Sequence, residues 1–121
     1  MSLLCVIAGG KTVALAASAF TLAWTHSVEK TEWREAWRLT PAGLELVEAR
    51  VKGSGAGIDP PAGAVLEDGW WVYAPAVAPL PRLALAASGA TASGWSLCAR
   101  GTCMTLGAEP GEAVVVEPCR E

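Results

Sequence analysis

FTLAWTHSVEKTEWREAWRL, residues 20–39, alternates large apolar side chains with small or polar ones over two runs separated by a charged stretch. In an extended chain Phe20, Leu22, Trp24, His26 and Val28 share one face, while Thr21, Ala23, Thr25, Ser27 and Glu29 share the other. The second run repeats the pattern, with Trp33, Glu35, Trp37 and Leu39 on one face and Glu32, Arg34, Ala36 and Arg38 opposite. A period of two over both runs predicts two strands, and a turn at Lys30-Thr31 would join them as a hairpin. Facing residue numbers then sum to 61, so that His26 meets Glu35, Trp24 meets Trp37 and Leu22 meets Leu39.

The next run, LELVEARVK, folds back at Pro41-Ala42. Facing numbers that sum to 83 set Leu44 against Leu39, Leu46 against Trp37, Glu48 against Glu35 and Arg50 against Trp33. A shift by one residue instead turns Val47, Ala49 and Val51 inward and exposes Glu48 and Arg50. In the first register His26, Glu35, Glu48 and Arg50 gather among tryptophans, including Trp37. A buried carboxylate costs several kcal/mol unless it is paired, so Arg50 and His26 become the natural partners of the two acids. Two readings stay open: a satisfied polar group that fixes strand register, or a pocket in which the arginine fork holds a small carboxylate.

Outward from this segment, turn residues recur at short intervals, among them Gly9-Gly10, Pro41-Ala42-Gly43, the run GSGAGIDPPAG, Asp68-Gly69, Gly101 and Pro110-Gly111. This leaves little room for long helices. Between them GWWVYA, LALAAS, GWSLCA, TCMTL and EAVVVEPC are rich in β-branched and aromatic residues. The expected fold is all-β, a compact antiparallel β-sandwich or barrel of consecutive hairpins, formed as a single domain over residues 1–121. A composition of 52% hydrophobic and 17% charged residues suits a packed core at this length. In Asp68-Gly69-Trp70-Trp71 the two tryptophans face opposite ways, which brings one toward the surface.

The N-terminal MSLLCVIAGGKTVALAASAF imitates a secretory signal, with small residues after a short apolar run. Lys11 interrupts the apolar stretch, and the expectation is two strands joined at Gly9-Gly10-Lys11. Of the four cysteines, Cys98 and Cys103 bracket Ala99-Arg100-Gly101-Thr102. A two-residue turn at Arg100-Gly101 makes them a non-hydrogen-bonded cross-strand pair, where a disulfide closes in an oxidising compartment. The connectivity of Cys5 and Cys119 stays open.

A net charge of −3, with acids and bases interspersed, gives no basic stripe, so nucleic acid is not an expected partner. Gly10-Lys11-Thr12 would end a phosphate-binding loop, but Cys5 stands where its first glycine belongs. Absence of CxxC, with one histidine far from the cysteines in sequence, speaks against zinc. Ser27 and His26 point to opposite faces of a strand, and no other nucleophile with its base can be assembled. A non-catalytic protein without cofactor is expected. The glycines Gly55 and Gly57 offer a backbone nest for an anion.

The order WTHSVEKTEWREAW, LVEARVKGSGAGIDPP, DGWWVY and LCARGTC resembles the domain of unknown function 1850 family over nearly the whole chain. That family looks like a THSV element followed by an acid and an aromatic, then E-x-R, then GAG. These carry over to His26, Ser27, Val28, Glu35, Trp37, Glu48, Arg50, Gly55, Ala56 and Gly57, while Ile58 stands where methionine is usual. The resemblance implies a small bacterial accessory protein of a tripartite ATP-independent periplasmic (TRAP) transport system of the TAXI class. It implies transporter components or a small carboxylate as partner, and association with the membrane only through such a partner. It also suggests the periplasmic side, which would suit a disulfide.

Overall fold

The computed structural model describes residues 2–25, 31–52, 63–87 and 94–119. These form the strands Leu4–Ala8 (β1), Lys11–Leu15 (β2), Ala19–Thr25 (β3), Glu32–Thr40 (β4), Gly43–Lys52 (β5), Val65–Glu67 (β6), Trp70–Tyr73 (β7), Leu83–Leu85 (β8), Trp95–Ala99 (β9), Thr102–Leu106 (β10) and Val114–Pro118 (β11). A four-stranded sheet, ordered β2-β1-β11-β8, packs on a seven-stranded sheet ordered β10-β9-β3-β4-β5-β7-β6. All pairings are antiparallel, and the architecture is a sandwich rather than a closed barrel.

Alternation decides what lies between the layers. Leu4, Val6, Leu85, Val114 and Val116 of the smaller sheet meet Phe20, Leu22, Trp37, Leu44, Leu97 and Leu106 of the larger one. Among the described residues no polar or charged side chain is fully buried. Of the N-terminal apolar stretch Leu4 and Val6 enter the core, while β2 is largely exposed: β1 and β2 form the hairpin expected at Gly9-Gly10, and β1 pairs with β11. Three two-residue hairpin turns, Gly9-Gly10, Asp68-Gly69 and Arg100-Gly101, have positive φ at both positions. This is the turn whose twist matches paired strands. The strand β6, which precedes Asp68-Gly69, has no counterpart in the sequence reading; it is three residues long and exposed.

The register of β3 against β4 differs from expectation. Facing numbers sum to 57, so Leu22 faces Glu35, Phe20 faces Trp37 and Trp24 faces Trp33. The ladder ends at Thr25 and Glu32, and residues 26–31 connect the strands, a longer link than a two-residue turn at Lys30-Thr31. Stacking rewards this register: the rings of Phe20 and Trp37 lie 6.3 Å apart and those of Trp24 and Trp33 6.2 Å apart, each pair near parallel. Because the displacement is even, every side chain keeps its expected face. Leu22 holds the position opposite Glu35 that the expected register gave to His26; His26 itself lies outside the described residues.

Between β4 and β5 both candidate registers occur, one after the other. From Thr40 opposite Gly43 to Trp37 opposite Leu46 the numbers sum to 83. The register then shifts, leaving Val47 as the extra residue of a bulge, and Ala36 faces Glu48, Glu35 faces Ala49, Arg34 faces Arg50 and Trp33 faces Val51. The bulge lets Leu44 and Leu46 point inward on one side of it, and Ala49 and Val51 on the other. Glu48 and Arg50 are turned to the outer face. The expected facing of Glu48 with Glu35 and of Arg50 with Trp33 is therefore corrected.

Both cysteine pairs are bridged. Cys98 and Cys103 face each other across β9 and β10 with Cα atoms 4.0 Å apart, as their turn predicts. Cys5 and Cys119 close a second disulfide over a separation of 114 residues, beside a backbone bond from Cys119 N–H to the Leu3 carbonyl.

Candidate functional site

The bulge puts the Glu35 side chain on one face of the sheet and those of Glu48 and Arg50, expected in the same pocket, on the other. Glu35 and Trp37 lie on the inner face of the larger sheet. The Trp37 indole N–H donates to Glu35 Oε1 at 3.1 Å. Partial burial pushes the Glu35 carboxyl above its ordinary value, against the smaller opposing pull of the Trp37 bond. Tyr73, which faces Ala49 in the row that contains Glu35, has its phenol raised by burial and then by the Glu35 charge. The tryptophan walls expected around the acid are present on this face, where Trp24, Trp33 and Trp95 cluster. The Trp33 indole nitrogen is buried with no hydrogen-bond partner among the described residues.

Glu48 and Arg50 lie on the outer face, where Arg50 Nε donates to Glu48 Oε2 at 2.8 Å. That bond is the main reason the guanidinium is held more firmly charged than usual. Both side chains are more than a third exposed, so the pair contributes little to stability and leaves the charges accessible. Arg34, which sequence reading passed over, stands directly opposite Arg50. Two like charges facing each other across a ladder repel. Each is offset by an acid two residues away on its own strand: Glu48 for Arg50, and Glu32 for Arg34 at 2.8 Å. The Trp70 ring adds a further platform, with the Arg34 guanidinium 4.7 Å and the Lys52 ammonium 5.0 Å from its centroid. Trp70 is thus the member of the tryptophan pair on the outer face, as the alternation required.

Beside these arginines the outer face holds a groove of about 450 Å³, walled by Arg34, Glu48 and Arg50 and floored by Thr21, Ala23, Ala36, Ser96 and Cys98; Leu22 and Glu35, whose side chains alternate to the inner face, also border it. The signal for it was present in the sequence: Thr21, Ala23, Arg34 and Ala36 fall on the small or polar face of the alternation. A second recess of about 430 Å³ has one charged lining residue, Arg100, whose guanidinium already donates to the Ala16 carbonyl at 3.0 Å. The arginine-walled groove is therefore the better candidate for an anionic ligand. Of the expected site residues, Glu48 and Arg50 meet in it and Glu35 borders it, the Glu35 carboxylate being bonded to Trp37 on the inner face, while His26, Gly55 and Gly57 lie outside the described residues. Among the described residues no three metal-ligating side chains converge.

The model of the family described as domain of unknown function (DUF1850) matches residues 20–106. The chain belongs to that family. The matched region runs from β3 to β10 and includes every residue that lines the groove. No curated protein and no solved structure matches the chain.

Proposed function

We propose that this DUF1850 protein is a non-catalytic accessory domain that binds small carboxylates on the outer face of its larger sheet, in the service of a TAXI-type TRAP transport system. The observation that carries the binding reading is the placement of Arg34 opposite Arg50 beside a groove of ligand size. Guanidinium groups match a carboxylate through paired N–H donors, and they stay charged at any physiological pH. A carboxylate between them relieves their mutual repulsion, an interaction that a purely structural sheet face gains nothing by preserving. The transport setting rests on the resemblance carried by His26, Glu35, Glu48, Arg50 and the Gly55-Ala56-Gly57 element.

Titration of the folded protein with acetate and succinate, followed by backbone amide shifts at low salt, tests the binding reading. Shifts should cluster on β3, β4 and β5, and Arg50→Gln should weaken binding at least tenfold while the fold is kept. Unchanged spectra at tens of millimolar carboxylate would dismiss it. Retention of TAXI-type transporter components on the immobilised protein tests the transport setting separately, and recovery of none of them would count against that setting alone.

A further inference from the structure

A carboxylate alone does not account for the groove. It lies across β9, β3, β4 and β5, and three strand spacings are about 14 Å. Its volume of about 450 Å³ falls within the range of sites that enclose whole organic molecules. The charge sits at one end, on β4 and β5. Away from it, the row Cys98, Thr21 and Ala36 runs across the sheet toward Glu48, and Ala23 lies in the neighbouring row beside Arg34. None of these floor residues carries a formal charge.

The two alanines are informative. Ala23 and Ala36 occupy the central strands β3 and β4, where β-branched residues fit the pleated surface better than alanine does. Among the described residues no second sheet packs against them on this face, and the core contacts require no small side chains there. Larger residues would fill the groove.

We propose, resting on the carboxylate-binding reading, that the groove takes a monocarboxylate with an extended apolar body. The carboxylate sits at Arg34 and Arg50, and the body lies over Ala36, Ala23 and Thr21 toward the disulfide at Cys98. Ala23 and Ala36 set the specificity for chain length. A second carboxylate at the far end of such a ligand would lie over Thr21, Ser96 and Cys98, none of which is a cation, which disfavours long dicarboxylates.

Calorimetric titration with acetate, butanoate, hexanoate and octanoate, and with succinate, tests this. The wild-type affinity should rise about two- to fourfold per methylene, as expected for partial to full burial of each group. Ala23→Val with Ala36→Val should keep the affinity for acetate and lose the dependence on length. The variant should melt no lower than the wild type, which separates a blocked groove from a broken fold. Equal affinity along the series, or succinate binding more tightly than octanoate, would overturn the extended-ligand inference while leaving the carboxylate reading intact. If no member of the series binds, both fall.

Discussion

Glu35 and Glu48 stand on opposite faces of one sheet although their strands are adjacent, because Val47 is the extra residue that turns the chain between them. Deleting Val47 would continue the first register through the rest of β5. Glu48 would then follow Leu46 directly and still fall opposite Ala36, with Ala49 opposite Glu35 and Val51 opposite Trp33, so the faces would be kept. No charge is buried, so the deletion should reduce stability by no more than about 2 kcal/mol, read from urea unfolding. Val47→Thr, which keeps the bulge at an exposed position, should change it by no more than about 0.5 kcal/mol. A deletion that cost about 4 kcal/mol or more, as burial of Glu48 and Arg50 would, would show that Val47 is not the extra residue.

The same bulge marks how far the sequence could be read. The hairpins at Gly9-Gly10 and Arg100-Gly101 were legible, since the turn itself fixes the register, and Cys98 opposite Cys103 followed from Arg100-Gly101 alone; of the hairpin at Asp68-Gly69 only the β7 side was read. The faces of β3 and β4 were legible from alternation, and they survive a wrong register because the error is even. The register itself was not, because the ladder stops at Thr25 and Glu32 instead of running to a two-residue turn, and the stacking of Trp24 on Trp33 emerges only in three dimensions. A bulge leaves no mark in a pattern such as LELVEARVK, whose two halves each satisfy a different register. Arg34 was missed for the same reason: its importance lies in the residue opposite, and only the shifted register makes that residue Arg50.

Glu35 should make stability depend on pH in a direction opposite to that of a salt-bridged acid. Its folded carboxyl binds a proton more tightly than the unfolded one, whose ordinary value is 4.5. The stabilisation from this group is therefore fully present below that value, and it is lost as pH rises from there through the folded pKa. Glu35→Gln keeps an oxygen that accepts from the Trp37 indole and removes the titration. Thermal melts between pH 3.5 and 8 should show the variant gaining on the wild type as pH rises, with the two closest at the acid end. Parallel curves for the two proteins would sink this assignment.

Gly43 begins β5 with φ near 126°, and a β-carbon there would run into the carbonyl of Leu80. Leu44 and Leu80 exchange two backbone hydrogen bonds at 2.7 and 2.8 Å, so that carbonyl is not free to withdraw. Gly43→Ala should cost about 2 kcal/mol or more through strain and the loss of this bridge. Gly111, with open space where its β-carbon would sit, is the control, and Gly111→Ala should be near neutral in the same unfolding assay.

The two disulfides should differ in what they contribute. The Cys5–Cys119 bridge ties β1 to the residue following β11 across 114 residues of separation, whereas Cys98–Cys103 spans 5. If the main effect is to restrict the unfolded chain, loop length gives roughly 5 kcal/mol for the first and roughly 2 kcal/mol for the second at room temperature. Cys5→Ala with Cys119→Ala should consequently lower the urea midpoint far more than Cys98→Ala with Cys103→Ala. The second double variant has another use, because Cys98 belongs to the groove floor and Cys5 does not. Its effect on octanoate binding should exceed its effect on acetate binding, and the terminal pair should alter neither once the protein is folded. Equal losses of stability from the two pairs would mean that chain restriction is not what these bridges supply.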